Sequence, residues 1–284
     1  MPDLLRKPTL VMGARGSVGK FVLRRLLDKG VPVRASARRP RPGQFPDGVE
    51  VFAADLTDPA SLVPAFDGAG QVFLYAHREG VDGVVETARA AGVERVVLLS
   101  SGSVIHPTSA GNPITREHRE VEAAFADSDV PVVPIRPLVL ATNALRWASE
   151  IRATGGLELY RPQAMTAPVH ERDVAAVACA ALTGAAASEV SGMLTGPVRL
   201  SLRGQVAAIG RALGTEIPVT ELSREAALRA FSQDMSDSDA EAVVRFFDDA
   251  AAGNSPATST VQDVLGYPPT GFDTWAADHV DDFR

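Results

Sequence analysis

Thr9-Leu-Val-Met-Gly13-Ala-Arg-Gly16-Ser-Val-Gly19-Lys20 is a short apolar strand that runs straight into three glycines at three-residue spacing and then into a helix. A strand, a glycine loop and a helix start, in that order, build a pyrophosphate cradle. Gly13 takes the tight turn out of the strand, Gly16 lets the backbone approach a phosphate, and Gly19 lets the helix pack close to the sheet. The free amides at Ser17 and Val18 then face the anion, and Arg15 inside the loop is a second candidate phosphate contact. A glycine triplet alone only shapes a turn; the flanking strand and helix make it a dinucleotide signal.

The rest of the first half repeats the alternation. Val18, Phe21, Val22 and Leu26 share one helical face, and Gly30 supplies a left-handed stop. Strands are expected over 31–36, 49–53, 71–75, 95–100 and 130–135. Helices are expected over 58–66, 81–91 and 115–126, the first with Pro59 at its first position. Strands separated by such helices demand right-handed crossovers, so the chain reads as a doubly wound parallel α/β sheet, a Rossmann fold. Residues 1–142 form the NAD(P)-binding core in this reading. Residues 143–284 form mainly a smaller α/β substrate lobe, with some elements returning to the core. There the pattern predicts a helix near 143–151, a strand near 165–169 and a helix after Asp173. Ser201 and Ser223 read as N-caps, Gly214 as a helix stop, and 272–283 as a terminal helix.

Of the 284 residues, 45% are hydrophobic and 22% charged, enough for one large core. A net charge of -7 argues against a nucleic-acid surface. The one cysteine, Cys179, sits in an Ala-rich helical run and reads as a small buried hydrophobe, which fits a reducing cytoplasm. The first strand begins so near Met1 that no export leader is expected, and residues 130–145 are too broken by prolines to span a membrane. Five scattered histidines supply no metal-ligand set. No nucleophile elbow occurs. A homodimer is the default for this fold.

Cofactor choice falls at the end of the second strand, beside the adenosine ribose. An acid there favours NAD, whereas this chain offers Arg38 and Arg39, whose guanidinium groups match a 2′-phosphate; NADP(H) is expected over NAD(H). Asp55, after the third strand, suits the adenine amine or a loop cap equally, and Leu56 can lie against the ring face.

These pieces resemble the atypical short-chain dehydrogenase/reductases, particularly their NmrA-like, NAD(P)H-binding branch. The resemblance spans nearly the whole chain: the glycine loop, Arg38, the 54–58 segment, Leu98-Leu-Ser-Ser101, Ile135-Arg136-Pro137, residues 169–175, Leu194-Thr-Gly-Pro197 and Trp275-Ala-Ala-Asp-His279. It implies that Ser100 and the stretch Pro137, Leu138 and Val139 border the nicotinamide, with Tyr75, Ala76 and His77 near its ribose. It also exposes a departure. The family's usual catalytic set is a serine or threonine, then a tyrosine and a lysine four residues apart. Ser101 fits the first role, but Ile114 and His118 stand where the couple belongs. Ser101 and His118 are therefore the candidate catalytic residues. Ser103, Asn143, Trp147, Tyr160 and His170 are the candidate pocket residues, although capping explains His170 and core packing the two aromatics equally well.

The expected activity is NADPH-dependent reduction of a small apolar acceptor, a quinone, an enone or similar, that needs little active-site acid. The alternatives are an NmrA-like NADP(H) sensor without turnover, or an isomerase or cyclase on the same fold.

Overall fold

The computed structural model of the chain describes residues 7–284. The first half alternates β1 (Thr9–Val11), α1 (Gly19–Asp28), β2 (Val33–Ala37), β3 (Glu50–Ala53), α2 (Pro59–Phe66), β4 (Gln71–Tyr75), α3 (Val81–Ala90), β5 (Arg95–Leu99), α4 (Pro113–Ala126) and β6 (Val132–Pro137). There follow α5 (Ala148–Thr154), β7 (Leu157–Tyr160), β8 (Met165–Thr166), α6 (Glu171–Leu182), α7 (Ala187–Val190), β9 (Met193–Leu194), β10 (Leu200–Ser201) and α8 (Leu202–Leu213). The chain closes with β11 (Val219–Leu222), α9 (Arg224–Phe231), α10 (Asp237–Ala251), α11 (Thr260–Leu265) and α12 (Phe272–Asp278).

Seven parallel strands form one sheet in the order β3-β2-β1-β4-β5-β6-β9. Strand order reverses between β1 and β4, and a crevice opens at their carboxyl ends. Both faces are covered, so beyond their first residues the central strands are almost wholly apolar, and successive residues split between two cores. Val11, Phe73 and Val97 meet α1 and α6 on one face. Leu10, Val72, Leu74, Val96 and Leu98 meet Leu62 and Phe66 of α2, Val84 of α3, and Val121 and Phe125 of α4 on the other. Cys179 lies inside the first core, where burial pushes its thiol up to about 12 and leaves it inert.

A third core gathers Ile151, Leu157, Val206, Ile209, Phe272 and Trp275, and a small fourth holds Tyr160, Ala227 and Val244. The caps at Ser201 and Ser223 and the left-handed stop at Gly214 are present. The helix expected over 143–151 is instead a 3₁₀ turn, Ala141–Trp147, leading into α5. β8 stops at Thr166, two residues before Pro168, and α6 begins at Glu171 with His170 as its cap. No helix of the described residues is long and apolar enough to cross a membrane.

A buried polar latch joins the terminal helix to the start of α6. Glu171 accepts hydrogen bonds from Trp275 Nε1 (3.1 Å) and His279 Nε2 (2.7 Å), and His170 Nε2 lies 3.3 Å from Asp278 Oδ2. Asp173 accepts from the Thr270 amide at 2.6 Å. Burial alone would raise the Glu171 carboxyl, but the His170 ring, the backbone amide and the His279 ring outweigh it and lower it to about 2. Its contribution to stability is therefore complete above about 4.5 and lost as pH falls towards 2. Glu171→Gln should cost about 3 kcal/mol in urea unfolding at neutral pH. The gap between variant and wild type should close on acidification below 4.5; a gap unchanged down to pH 2 would contradict this account.

Candidate functional site

The crevice begins at the glycine loop. Gly13 has φ +61°, and a Cβ there would also come within 2.9 Å of the Tyr75 ring. A Cβ on Gly19 would overlap the Gly13 carbonyl oxygen, so the closest approach that Gly19 permits is of the helix to the loop's own backbone. The Gly16 amide donates to the Gly13 carbonyl at 2.8 Å and closes the loop, while the amides of Ser17 and Val18 bond no backbone carbonyl of the described residues. α1 has no side-chain cap and no acid in its first turn, whereas Asp58 caps α2 and Asn112 caps α4. Its positive end is unneutralised and fits a pyrophosphate. Val18 is buried, so only its backbone can take part.

Arg38 and Arg39 are both exposed just past β2, and no acid occurs between the end of that strand and Asp47. The Arg15 guanidinium donates to Gln44 Oε1 at 3.2 Å and to the Arg39 carbonyl at 3.5 Å, which folds the loop over it. Asp55 accepts from the Thr57 amide (3.0 Å) and hydroxyl (2.9 Å). These bonds, with the charges of Arg38 and His77, hold its carboxyl below the ordinary range. It is thus a loop cap whose charge is kept at the crevice edge. Leu56 corrects the expectation of an adenine contact: it is 2% exposed and packs with Leu62 and Phe66, because the chain turns inward before α2.

On the other side of the crevice, Tyr75 is 38% exposed over Gly13, and burial of the rest of the ring pushes its hydroxyl up. The Ala76 amide bonds the Leu99 carbonyl at 2.8 Å, and His77 follows on the surface. Ser100 is also corrected as a side chain, since its hydroxyl turns inward to Glu122 Oε1 at 2.6 Å. Glu122 in turn holds Arg136 through two bonds, 3.0 and 2.5 Å, and Arg136 reaches the Ser191 carbonyl at 2.9 Å. Pro137 pairs with Leu194, the Leu138 amide donates to the Leu194 carbonyl at 3.0 Å, and the Val169 amide donates to the Val139 carbonyl at 2.8 Å. Gly102 lies so close to Leu138 that a Cβ would sit 2.9 Å from its Cα, bringing the two loops face to face.

Ser101 caps the 3₁₀ turn Gly102–Ile105, and its hydroxyl lies 2.9 Å from that of Ser103. One turn apart on α4 stand Ile114 and His118, with the His118 Nδ1 2.9 Å from the Ile114 carbonyl. That carbonyl can only accept, so Nδ1 carries a proton, and the neutral ring presents its lone pair at Nε2. Asn143 is exposed on the 3₁₀ turn, and Trp147 is half-buried against the third core. Two pocket candidates are corrected. Tyr160 donates to Asp248 Oδ1 at 2.8 Å within the fourth core, and His170 is 1% exposed and absorbed by the α6 cap and latch. Sequence reasoning missed Arg199, which follows β9 and whose Nε is buried without a hydrogen-bond partner. Nothing in its local sequence marks it.

A family model described as NAD(P)H-binding matches residues 13–185. A Streptomyces griseus protein, (4-alkanoyl-5-oxo-2,5-dihydrofuran-3-yl)methyl phosphate reductase, is 38% identical over 279 residues, covering 96% of this chain and 98% of its own. The NAD(P)H azoreductase of Xenophilus azovorans is 28% identical over 284 residues, covering 95% and 97%. An Escherichia coli NADPH-dependent quinone oxidoreductase, solved with NADPH, superposes with a TM-score of 0.75 at 23% identity over 95% and 99% of the two chains, a likeness of fold.

Gly19→Ala tests the loop. The added methyl displaces the Gly13 carbonyl and opens the cradle, so the Kd for the cofactor should rise at least tenfold, to be read by fluorescence titration. Stability should fall by about 1–3 kcal/mol. Unchanged affinity would show that the helix start does not shape the site.

Proposed function

This chain belongs to the NAD(P)H-binding family and is an NAD(P)H-dependent reductase acting on a small molecule, and from that premise we propose that it uses NADPH to saturate an electron-poor double bond conjugated with carbonyl groups. The observation that carries this reading is the pair Ile114 and His118 on α4, where no tyrosine or lysine is available to protonate a carbonyl. The acceptor named for the Streptomyces relative needs no such donor: its ring double bond ends on a carbon flanked by a ketone and a lactone. Hydride added to the far carbon leaves the electron pair shared by both carbonyl oxygens, and a proton from water completes the saturated product. When bound, the nicotinamide supplies that hydride.

The chain's own groups bind, orient and stabilise. The unfilled α1 start and Gly13 turn hold the pyrophosphate, and Arg38 and Arg39, with Arg15 behind them, hold the 2′-phosphate that distinguishes NADPH. Asp55 serves the adenine edge, and the backbone at 75–77 and 137–139 frames the nicotinamide and its ribose. His118 offers Nε2 as an acceptor to a ribose hydroxyl, its tautomer set by the Ile114 carbonyl. Of the paired hydroxyls of Ser101 and Ser103, one donates to the other, and the second is left to donate to a carbonyl oxygen on which negative charge grows. Asn143 and Trp147 line the acceptor side.

Replacing Arg38 and Arg39 together by alanine should raise the Kd for NADPH roughly 10- to 100-fold, the weight of one or two charge-assisted hydrogen bonds, and leave NADH binding within a few-fold. Equal losses for both cofactors would remove the 2′-phosphate assignment. Purified protein should oxidise NADPH, followed by absorbance, with an enone or quinone acceptor. Ser101→Ala should then lower kcat roughly 100-fold. Tight NADPH binding with no oxidation across quinones, enones and azo compounds would favour a non-catalytic regulator.

A further inference from the structure

The segment leaving β9 carries a cation with no internal counterpart. Arg199 forms no ion pair with a described carboxylate, and its Nε is buried with no hydrogen-bond partner. A buried donor in that condition is costly, so such positions call for an explanation. Its Nη2 comes within 3.9 Å of where a Cβ on Gly253 would stand, which lays the guanidinium against the turn 253–255. That turn holds a second orphan: Ser255 is 1% exposed and its hydroxyl has no partner. Two unsatisfied donors, one beside this turn and one within it, are thus near each other in the chain's packing around Gly253.

The turn is tied to the reaction side of the crevice. His106, just beyond the 3₁₀ turn capped by Ser101, lies with Nε2 2.9 Å from the Asn254 carbonyl oxygen, and the Thr258 amide donates to Thr195 Oγ1 at 2.8 Å. Thr195 follows Leu194, the residue that pairs with Pro137. Arg199 therefore stands five residues beyond the strand end that frames the proposed nicotinamide position. Ile105 and Val198, the chain neighbours of His106 and Arg199, are 45% and 56% exposed.

Resting on the acceptor reading above, we infer that Arg199, assisted by Ser255, holds the phosphomonoester of the acceptor and sets specificity for phosphorylated substrates. The guanidinium provides a planar, permanently charged fork for phosphate oxygens, and the serine hydroxyl donates a further bond. Arg199 touches a remote part of the substrate, and its action appears in KM rather than in the hydride step.

The test uses two acceptors that differ only in the phosphate, the (4-alkanoyl-5-oxo-2,5-dihydrofuran-3-yl)methyl phosphate and its hydroxymethyl counterpart, with saturating NADPH. Wild type should show a KM for the phosphate lower by roughly 10- to 100-fold, the weight of a charge-assisted contact. Arg199→Met should abolish that preference while leaving the hydroxymethyl KM and NADPH affinity unchanged, and Arg199→Lys should restore part of it. Preference retained in Arg199→Met, or both acceptors weakened equally, overturns the inference. A second arm needs no turnover. Butyl phosphate is titrated by calorimetry into protein saturated with NADP+, which fills the cofactor's own phosphate positions. Arg199-dependent binding without reduction of either acceptor upholds the anion site and removes the acceptor reading. Reduction with no phosphate preference does the reverse. Absence of both removes both.

Discussion

The ion pair of Glu122 with Arg136 is the contact on which the reaction side depends. It is mostly buried, with side chains 14% and 18% exposed, and it spans α4 and β6 while also taking the Ser100 hydroxyl and the Ser191 carbonyl. Four segments distant in sequence are thereby set against one another. Gly102 can then lie on the backbone of Leu138, and the loops after β5 and β6 face a common space. A buried pair of this kind adds little net stability over an apolar pair, but loss of one partner costs about 3–5 kcal/mol. Its value here is geometric, because it fixes which way Ser100 and Ser101 turn: the first inward to Glu122, the second towards Ser103.

The two sides of the crevice are built differently. The cofactor side is mainly backbone: a left-handed glycine, unbonded amides at the start of α1, and main chain at the ends of β4 and β6. Backbone positions are set by short-range turn chemistry and sheet pairing, so one loop design serves many reactions. The acceptor side we propose draws on side chains from the 3₁₀ turn after β5, the segment after β9 and the turn before α11. Its members come from far apart, as the His106 to Asn254 bond across 148 residues illustrates. Loops of that kind can vary in length and composition without disturbing the sheet.

The latch at Glu171 shows why sequence motifs can be true and still misassigned. Val169-His-Glu-Arg-Asp173 looks like site chemistry because acids and a histidine cluster there. In the fold His170 and Glu171 are taken up by the α6 cap and by residues 275–279, Asp173 is taken up by Thr270, and the terminal helix is held by the bonds from Trp275 and His279. Tyr160 and Leu56 illustrate the same point. An aromatic with a hydroxyl reads as a pocket wall until Asp248 takes the hydroxyl, and a leucine after an aspartate reads as a ring platform until α2 covers it. Burial is a property of what packs on a residue, and that neighbour is rarely close in sequence.

The parallel doubly wound sheet, the glycine cradle, the arginines after β2 and the caps at Ser201 and Ser223 were all legible in the chain itself. Each depends on interactions within a few residues: strand and helix periodicity, left-handed turns, and hydroxyls that bond amides two or three positions on. The absence of a tyrosine and lysine on α4 was legible for the same reason, once the helix was placed. Tertiary structure alone decided that Ser100 points inward, that His170 joins a latch, that the stretch before α5 tightens into a 3₁₀ turn, and that Arg199 keeps a buried donor unpaired beside the turn 253–255. Those outcomes follow from long-range packing, in which a side chain's role is set by partners up to a hundred or more residues away.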